Sequence, residues 1–511
     1  MKLQESTLDA HTPRQPDLAQ HERILRITVW TGLAALFFSR ISSNIVDLDI
    51  WHEMSTIRAS LAAGHLITTD LFAYTPTLPV TVDHEWGAGA IAYFLAHFFG
   101  AGGILLFKLA LGAGIAALAL PCNRSRGAGL ANLSVLAPAS IMFLGVAFSP
   151  IRGHLYSVFF TALLFWMLER DRRGGRRWIV PWLVLFPLWV NLHGGFVVGI
   201  GLTGIYAVEQ AIARKPWLHI LAVIAAMSAA IMVNPFGASY YSYLWRALTM
   251  KRPAIGEWLP LWQAFPSVFS VVFLITLALV VYAAASRRMR LEPGIGAIAV
   301  TAAATAMHQR MFPFYALAFL CYAPGYLERT PLGARLSASF QTRRLAWQAV
   351  WTGITVFFLC IAISYRPWKL EVPGDAPPTG MAYPTGAVNY LLRTGFRGNI
   401  MTPFECGAYV SWRMYPAARV SVDSRYEVAY PNWWVDQSFR FYEARPGWRD
   451  TLKAYPTDLV LVRRTQPLAA FIAQTGWRRV YADRVFEIYE RNGLNLPEED
   501  HPALVIEGRF P

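Results

Sequence analysis

Long apolar runs, each closed by a cluster of polar residues, recur along this chain from residue 27 to residue 365. Eleven can be threaded, at about 27–43, 99–121, 129–149, 154–169, 178–191, 195–213, 217–234, 264–286, 294–307, 311–327 and 346–365. Most approach the roughly 20 residues a helix needs to cross a hydrocarbon core. The pattern therefore predicts an α-helical polytopic membrane protein with about 11 spans. From residue 366 the pattern changes. The stretch EVPGDAPPTG (371–380) reads as a Pro/Gly-rich linker. Beyond Tyr383 short apolar strands alternate with amphipathic segments. The expected order is helix 385–394, strand 398–401, helix 405–413, strand 419–422 and a Trp/Tyr-rich loop. A helix near 447–454 follows, then strand 458–462, helix 467–474 and strands 478–481 and 484–489. Such alternation predicts a C-terminal soluble α/β domain with a partly parallel sheet. The expected organisation is a polar N-terminal segment 1–26, a membrane domain 27–365 and a linker with tail domain 366–511.

Composition agrees with a membrane location. Of the 511 residues 55% are hydrophobic and 15% charged, against roughly 25% charged in soluble proteins. A net charge of +14 would suggest nucleic acid in a soluble chain. Here many basic residues sit in short loops between apolar runs: CNRSRG (122–127), ERDRRGGRR (169–177), RKP (214–216), SRRMRLEP (286–293) and ERTPLGARLSASFQTRR (328–344). The positive-inside rule puts these loops in the cytoplasm and leaves no need for a nucleic-acid partner. The N-terminus then lies in the cytoplasm and, after eleven spans, the tail lies in the periplasm or outside, as expected of a multi-pass protein of a bacterial inner membrane. No cleavable signal peptide is evident, because the first apolar run follows a polar segment with no small-residue cleavage site after it. Cys122, Cys321, Cys360 and Cys406 are scattered and predict neither a disulfide framework nor a zinc site.

The other set of loops carries the candidate chemistry. Residues 44–86 hold Asp47, Asp49, Glu53, Asp70, Asp83 and Glu85 against a single Arg58. Ile50, Met54, Ile57 and Leu61 fall on one helical face. They predict an amphipathic helix lying on the membrane surface, with Asp49 as its N-cap and Gly64 at its end. A second helix is expected to start at DHEW (83–86), capped by Asp83. His52 and His84 share this loop. Arg152, His154, Asn191, His193, Asn234, Glu257, His308 and Arg310 join the same face from other loops. Each residue has a structural reading as well: a cap for the acids, a helix break for Asn191, lipid snorkelling for Arg310. Polar groups next to spans are costly and mark function when they converge. The set suits group transfer from a phosphate leaving group, with a carboxylate taking a proton and Arg or His donors meeting the departing charge. A lipid-anchored donor would explain a site at the membrane rim. No phosphate-cradling glycine loop is visible.

The run DLDIWHEMSTIRASLAAGHLITTDLFAYTPTLPVTVDHEWGAGAIAY resembles the first outer loop of a large bacterial family similar to the GT-C glycosyltransferases. NLHGG, NPFG, IGEW and HQRMFPF, and ECGAYVSWRMYP and VSVDSRYEVAYP in the tail, are similar in kind and order. The likeness runs from about residue 40 to 490. It departs at Trp51-His52-Glu53-Met54, where the family has Trp-Trp-His-Leu, at Asp70-Leu71-Phe72-Ala73 and at Gly87. The resemblance implies a GT-C-like fold and a sugar donor linked to polyprenyl phosphate, with a glycan, lipid or protein as acceptor. It implies Asp49 as the catalytic acid-base group, with Asp47 beside it. His52, Asp70, His84, Glu85, Arg152, His154, Asn191, His193, Glu257, His308 and Arg310 are then the candidate substrate-binding residues. No cofactor is expected, although Asp47 and Asp49 could offer oxygens to Mg²⁺ or Mn²⁺. The alternatives are a flippase or transporter for a lipid-linked glycan and a non-catalytic assembly partner; polar residues gathered on one face favour the enzyme. In the tail, Asp423-Ser424-Arg425 reads as a ligand position at a strand end or as a salt-bridged turn. Trp433 and Trp434 read as sugar-stacking or packing residues.

Overall fold

The structure, a computed structural model, describes residues 15–250, 252, 255–286, 292–375 and 381–511. Residues 1–14 of the N-terminal segment, 287–291 of a basic loop and 376–380 of the linker lie outside the described residues.

Among the described residues fourteen α-helices precede the tail. They are α1 (Gln15–Ile41), α2 (Leu48–Ala63), α3 (Trp86–Ser125), α4 (Leu130–Leu144), α5 (His154–Arg172), α6 (Ile179–Leu192) and α7 (Phe196–Ile212), then α8 (Leu218–Ala230), α9 (Ser239–Thr249), α10 (Val268–Ser286), α11 (Ile295–Met307), α12 (Phe312–Glu328), α13 (Pro331–Thr342) and α14 (Arg344–Ser364). Every apolar run threaded from the sequence falls on a helix. Among the described residues five, Ala19–Ile41 within α1, α3, Leu130–Ala147 from α4, α10 and α14, are long and apolar enough to cross a membrane. The helices α6, α7, α8 and α11 are apolar but shorter. The chain is a multi-pass membrane protein by its helix composition. Helix α12 is its hub: every residue from Phe312 to Leu327 is buried. An all-round apolar helix of this kind belongs inside a bundle. By contrast α14 presents Leu345, Val350, Val356, Phe357 and Ile363 outward, an apolar surface that suits lipid.

Helix α3 joins two elements expected separately. It starts at Trp86 and continues through the run at 99–121, broken at Gly100, whose φ of 59° and ψ of −153° suit only glycine. Glu85 stands at its N-cap without a capping side-chain bond, and Asp83, expected to cap, instead accepts from the Glu85 amide at 3.2 Å. Helices α9 and α13 were not anticipated.

The loops separate onto two ends of the bundle. At one end Arg126 pairs with Glu169, Arg172 with Glu209 at 2.6 Å, and Arg329 with Glu292 at 2.9 Å. These contacts knit the basic loops together. The residues at 43–47, 84–86, 149–154 and 191–195, Arg252, and the residues at 255–258 and 308–310 gather at the other end, where the tail docks.

The tail follows the expected order closely. It comprises α15 (Thr385–Arg393), β1 (Gly398–Met401), α16 (Phe404–Met414), β2 (Ala418–Val420), α17 (Tyr426–Ala429), α18 (Asn432–Tyr442), α19 (Trp448–Ala454), β3 (Leu459–Arg463), α20 (Pro467–Ile472), β4 (Arg478–Ala482), β5 (Phe486–Glu490) and β6 (Glu499–Asp500). The expected Trp/Tyr-rich loop is two helices, because Trp434, Val435, Ser438, Phe441 and Tyr442 place one buried face at helical spacing. The sheet order is β2-β1-β3-β5-β4-β6. Pairings β2–β1, β1–β3 and β4–β6 are parallel, β3–β5 and β5–β4 antiparallel. The loop 44–86 completes its edge. Ala73 bridges Val420 in parallel, the Val420 amide donates to Phe72 O at 2.9 Å, and the Tyr74 amide donates to Val420 O at 3.1 Å.

Helix α2 does not lie on a membrane surface. It is held between α3 and α16, with Trp51 and Met54 fully buried. Trp51 sits among Tyr409, Phe510, Tyr383 and Trp412, at ring separations of 5.1, 5.3, 5.8 and 6.4 Å. Only Leu61 of the predicted apolar face is exposed.

Candidate active site

The start of α2 sets the site. Its N-cap is Asp47, whose Oδ1 accepts from the Asp49 amide at 3.0 Å; Asp49, expected as the cap, lies in the first turn. Gly64 closes the helix in the left-handed conformation. Because Asp47 does the capping, the Asp49 carboxylate is left to face a cleft of about 570 Å³ between the bundle and the tail.

The cleft gathers Asp47, Asp49, His52, His84, Glu85, Arg152, His154, His193, Glu257 and Arg310. Three expected residues take other places. Asn191 accepts from Trp86 Nε1 at 2.8 Å and donates to Pro187 O and Val233 O, so it fixes the start of α3. His308 contacts Trp258 O through Nδ1 at 2.8 Å, behind the cleft wall. Asp70 pairs with Arg425 at 2.5 Å. The same guanidinium binds Asp423 through Nε and Nη2 and reaches Tyr430 Oη at 3.1 Å. Asp423-Ser424-Arg425 is thus a salt-bridged turn that ties the loop 44–86 to the tail. Its Ser424 does line the cleft, with Oγ 2.9 Å from His52 Nδ1.

The carboxylates differ in character. Burial raises Asp49 well above the ordinary carboxylate range; the like charges of Asp47 and Glu85 add to this, while Arg152 and Ser424 oppose it. Its side chain is 33% open to the cleft, so the group is recessed yet reachable. Burial also raises Asp47, against the pull of Arg152. Burial would raise Glu85, but His84 and His193 hold it well below its usual range. His84 Nε2 is 3.1 Å and His193 Nε2 3.5 Å from Glu85 Oε1. Glu53, one turn along α2 from Asp49, is buried and pushed well up by burial and by Glu85.

His193 is fixed in one tautomer. The Gly195 amide can only donate, and it lies 2.9 Å from Nδ1. Ser157 Oγ, 2.7 Å away, accepts from Trp189 Nε1 and so donates to the same nitrogen. The ring proton is therefore on Nε2, facing Glu85. Burial lowers His193 to about 4. Expected as a potential cation, it is a neutral N–H donor. His52 is likewise lowered by burial to about 4.

Four arginines line the cleft; Arg425 is held by Asp70 and Asp423, and the other three are Arg152, Arg310 and Arg252. Arg152 Nη2 is 2.6 Å from Glu257 Oε2, and Arg310 Nη1 lies 3.7 Å from Oε1. Burial alone would lower Arg152, but Glu257 and Asp47 raise it. Arg252 pairs with Glu427 at 2.6 Å. Both Arg310 and Arg252 lie on the Trp258 ring, at 4.3 and 4.4 Å from its centroid. Between them His154 is buried with neither ring nitrogen hydrogen-bonded, which leaves it open to a ligand.

A second cavity, of about 350 Å³, opens from the same polar wall. It shares His84, Glu85, His154, His193, Arg252, Trp258, Arg310 and Glu427 with the cleft. It then runs between Val197, Val198 and Gly201 of α7, Leu244 and Leu248 of α9, and Val300 and Ala304 of α11.

Arg252, Trp258, Glu427 and Tyr243, which meets His84 Nδ1 at 2.8 Å, were not singled out as site residues. Arg252 carried a signal, being a cation in a loop on the side that the positive-inside rule leaves poor in cations. For a divalent metal the fit is poor. Asp47 Oδ1 is occupied by the Asp49 amide, and among the described residues no group of three or more His, Cys, Asp or Glu is placed to hold one.

The fold so described is similar to that of solved membrane glycosyltransferases, at low sequence identity. The archaeal oligosaccharyltransferase AglB from Archaeoglobus fulgidus, solved with an inhibitory peptide and a dolichol-phosphate, superposes with a TM-score of 0.57 at 11% identity, over 95% of this chain and 75% of that one. The apo oligosaccharyltransferase of the same organism gives 0.54 at 11% identity, over 93% and 75%. A variant of the arabinofuranosyltransferase AftD from Mycobacteria gives 0.52 at 17% identity, over 94% of this chain and 42% of that one. No protein-family model matches the sequence, and no curated protein does.

Proposed function

We propose that this chain transfers a sugar from a polyprenyl-phosphate-linked donor to an acceptor on the outer face of the membrane, with its tail on that side. The observation that carries the reading is the shared wall of the two cavities. One is polar and holds a recessed carboxylate and four arginines; the other, beyond the shared wall, is apolar. A lipid phosphate has the same two-part character. A transporter would need its polar groups spread along a path; here they collect at one end of the helices.

In this reading Asp49 is the general base. An acceptor hydroxyl gives its proton to the Asp49 carboxylate as its oxygen bonds to the anomeric carbon. The bond from that carbon to the phosphate oxygen breaks, and the leaving group departs as polyprenyl phosphate. A raised Asp49 is a stronger base than an ordinary aspartate. Asp47 holds it in place and helps to raise it. Arg152, Arg310 and Arg252, with the Nε2–H of His193, stand where negative charge builds on the phosphate. No step is routed through a metal.

The test is an assay of purified protein in lipid vesicles with a polyprenyl-phosphate-linked radiolabelled sugar. Release of polyprenyl phosphate with label passed to an acceptor glycan, lost in Asp49→Asn, supports the reading. Passage of intact donor across the bilayer without cleavage would replace it with the transporter reading.

A further inference from the structure

A second polar cavity lies in the tail, outside the cleft. It measures about 420 Å³ and opens between α18 and α19, within the range of small-ligand sites. Its lining is mixed. Trp433, Asp436, Gln437 and Arg440 line up on one face of α18, at positions i, i+3, i+4 and i+7. Thr451 of α19 faces them, and Gln437 Nε2 donates to its Oγ1 at 3.1 Å.

The two neighbouring indoles have opposite fates. Trp434 is fully buried and donates through Nε1 to Ser421 O at 3.0 Å. Trp433 is 53% exposed. An exposed indole offers a flat apolar ring to a ligand, and here it stands beside hydrogen-bonding side chains. Among the described residues its ring contact is with Trp434, edge-on at 6.2 Å, and its neighbours along the exposed face of α18 are polar. Asp436 and Arg440 are exposed and make no ion pair among the described residues, and Gln437 keeps its carbonyl and one N–H. A flat aromatic face ringed by a carboxylate, an amide and a guanidinium matches a pyranose. The ring's C–H face stacks on the indole, and its hydroxyls bond the polar groups around it.

We propose that this cavity is a saccharide-binding subsite. The helix that forms it also reaches the cleft: the buried face of α18 packs, through Trp434, on the segment from Val422 to Tyr430 that carries Ser424 and Glu427. One helix therefore presents a saccharide surface on one side and buttresses the cleft on the other. A glycan held on Trp433 is thus tied to the element that walls the transfer site. The role of this saccharide as acceptor rests on the transferase reading; the binding itself does not.

The experiment uses the full chain in lipid nanodiscs without any lipid-linked donor, so its outcome is separate from that of sugar transfer. Maltotriose, cellotriose and chitotriose are titrated, read by calorimetry and by tryptophan fluorescence. Binding of at least one, weakened tenfold or more by Trp433→Ala or by Arg440→Ala, is the expected result. Both positions are exposed, and circular dichroism checks that the variants stay folded. Absence of binding by all three sugars overturns the proposal, and so does binding unchanged in both variants. Quenching of Trp433 by brominated lipid, judged as the signal missing from Trp433→Ala, would show that a membrane covers the indole and would also overturn it.

Discussion

His52 and Ser424 stand 372 residues apart in the chain, and their side chains meet at 2.9 Å. The contact crosses from the first turns of α2 to the turn after β2, so the tail is a wall of the cleft. The same turn is anchored by Arg425, buried with Asp70 and Asp423. Removing that arginine leaves two buried carboxylates without a counter-charge, a loss of about 3–5 kcal/mol in such settings. Arg425→Ala is expected to lower the unfolding temperature in detergent, measured by tryptophan fluorescence, and to make the tail sensitive to limited proteolysis. A variant as stable and protease-resistant as the parent would show that the anchor is unimportant.

Asp49→Asn separates capping from catalysis. Since Asp47 is the cap, Asn at 49 is expected to leave folding intact. As the base it should cost roughly 10²–10⁴-fold in turnover. Asp47→Asn keeps a capping oxygen and is expected to cost a few tenths of a kcal/mol in stability at most. Transfer rates from labelled donor, with thermal unfolding in parallel, check both. Full turnover by a folded Asp49→Asn variant would remove Asp49 from the mechanism.

The pH profile carries its own sign. The base works only when ionised, so the rate falls as pH drops through the raised pKa of Asp49. The acid limb is therefore expected above the ordinary aspartate value of roughly 4. Asp47 contributes to that rise, so Asp47→Asn should move the limb toward lower pH. A limb that stays put, or shifts upward, would contradict the coupling of the two acids.

Gly201 lines the apolar cavity, and a Cβ there would meet open space. Gly201→Phe should fold normally, since a Cβ at this position of α7 meets nothing within 4 Å and glycine is a poor helix former. It should raise the donor KM about tenfold or more while leaving the donor-independent thermal stability unchanged or higher. Kinetics with a short-chain polyprenyl donor provide the control, because a shorter tail needs less of the slot. Unaltered KM with the long-chain donor would show that the lipid runs elsewhere.

Much of this was legible in the sequence. Five of the six tail strands among the described residues were placed to within about two residues because each is a short apolar run bounded by Gly, Pro or a polar cluster; β6 (Glu499–Asp500), short and acidic, was not anticipated. The helix at 432–442 was missed because its aromatic density reads as loop or strand, although the spacing of Trp434, Ser438, Phe441 and Tyr442 is helical. Asp47 and Asp49 are both good caps, and only the start of the helix at Leu48 decides between them. The charge state of His193 was beyond reach. It depends on the burial and on the Gly195 amide and Ser157 hydroxyl, groups the sequence does not bring together. The pairing of Asp70 with Arg425 is likewise a product of tertiary folding, with no local signature in either segment.

The edge pairing of residues 72–74 with β2 sets an order of events during synthesis. Thr75 Oγ1 donates to Ser421 O, across 346 residues of chain. At about 5–20 residues per second, a ribosome needs roughly 20–70 s to make what lies between. For that interval the loop that carries Asp49 exists without the sheet edge that will hold it, and Asp70 without its counter-charge. The helix that carries Asp49 is therefore made well before the sheet edge that locks its loop in place, so a membrane domain with an unfinished cleft is a built-in stage of this protein's synthesis.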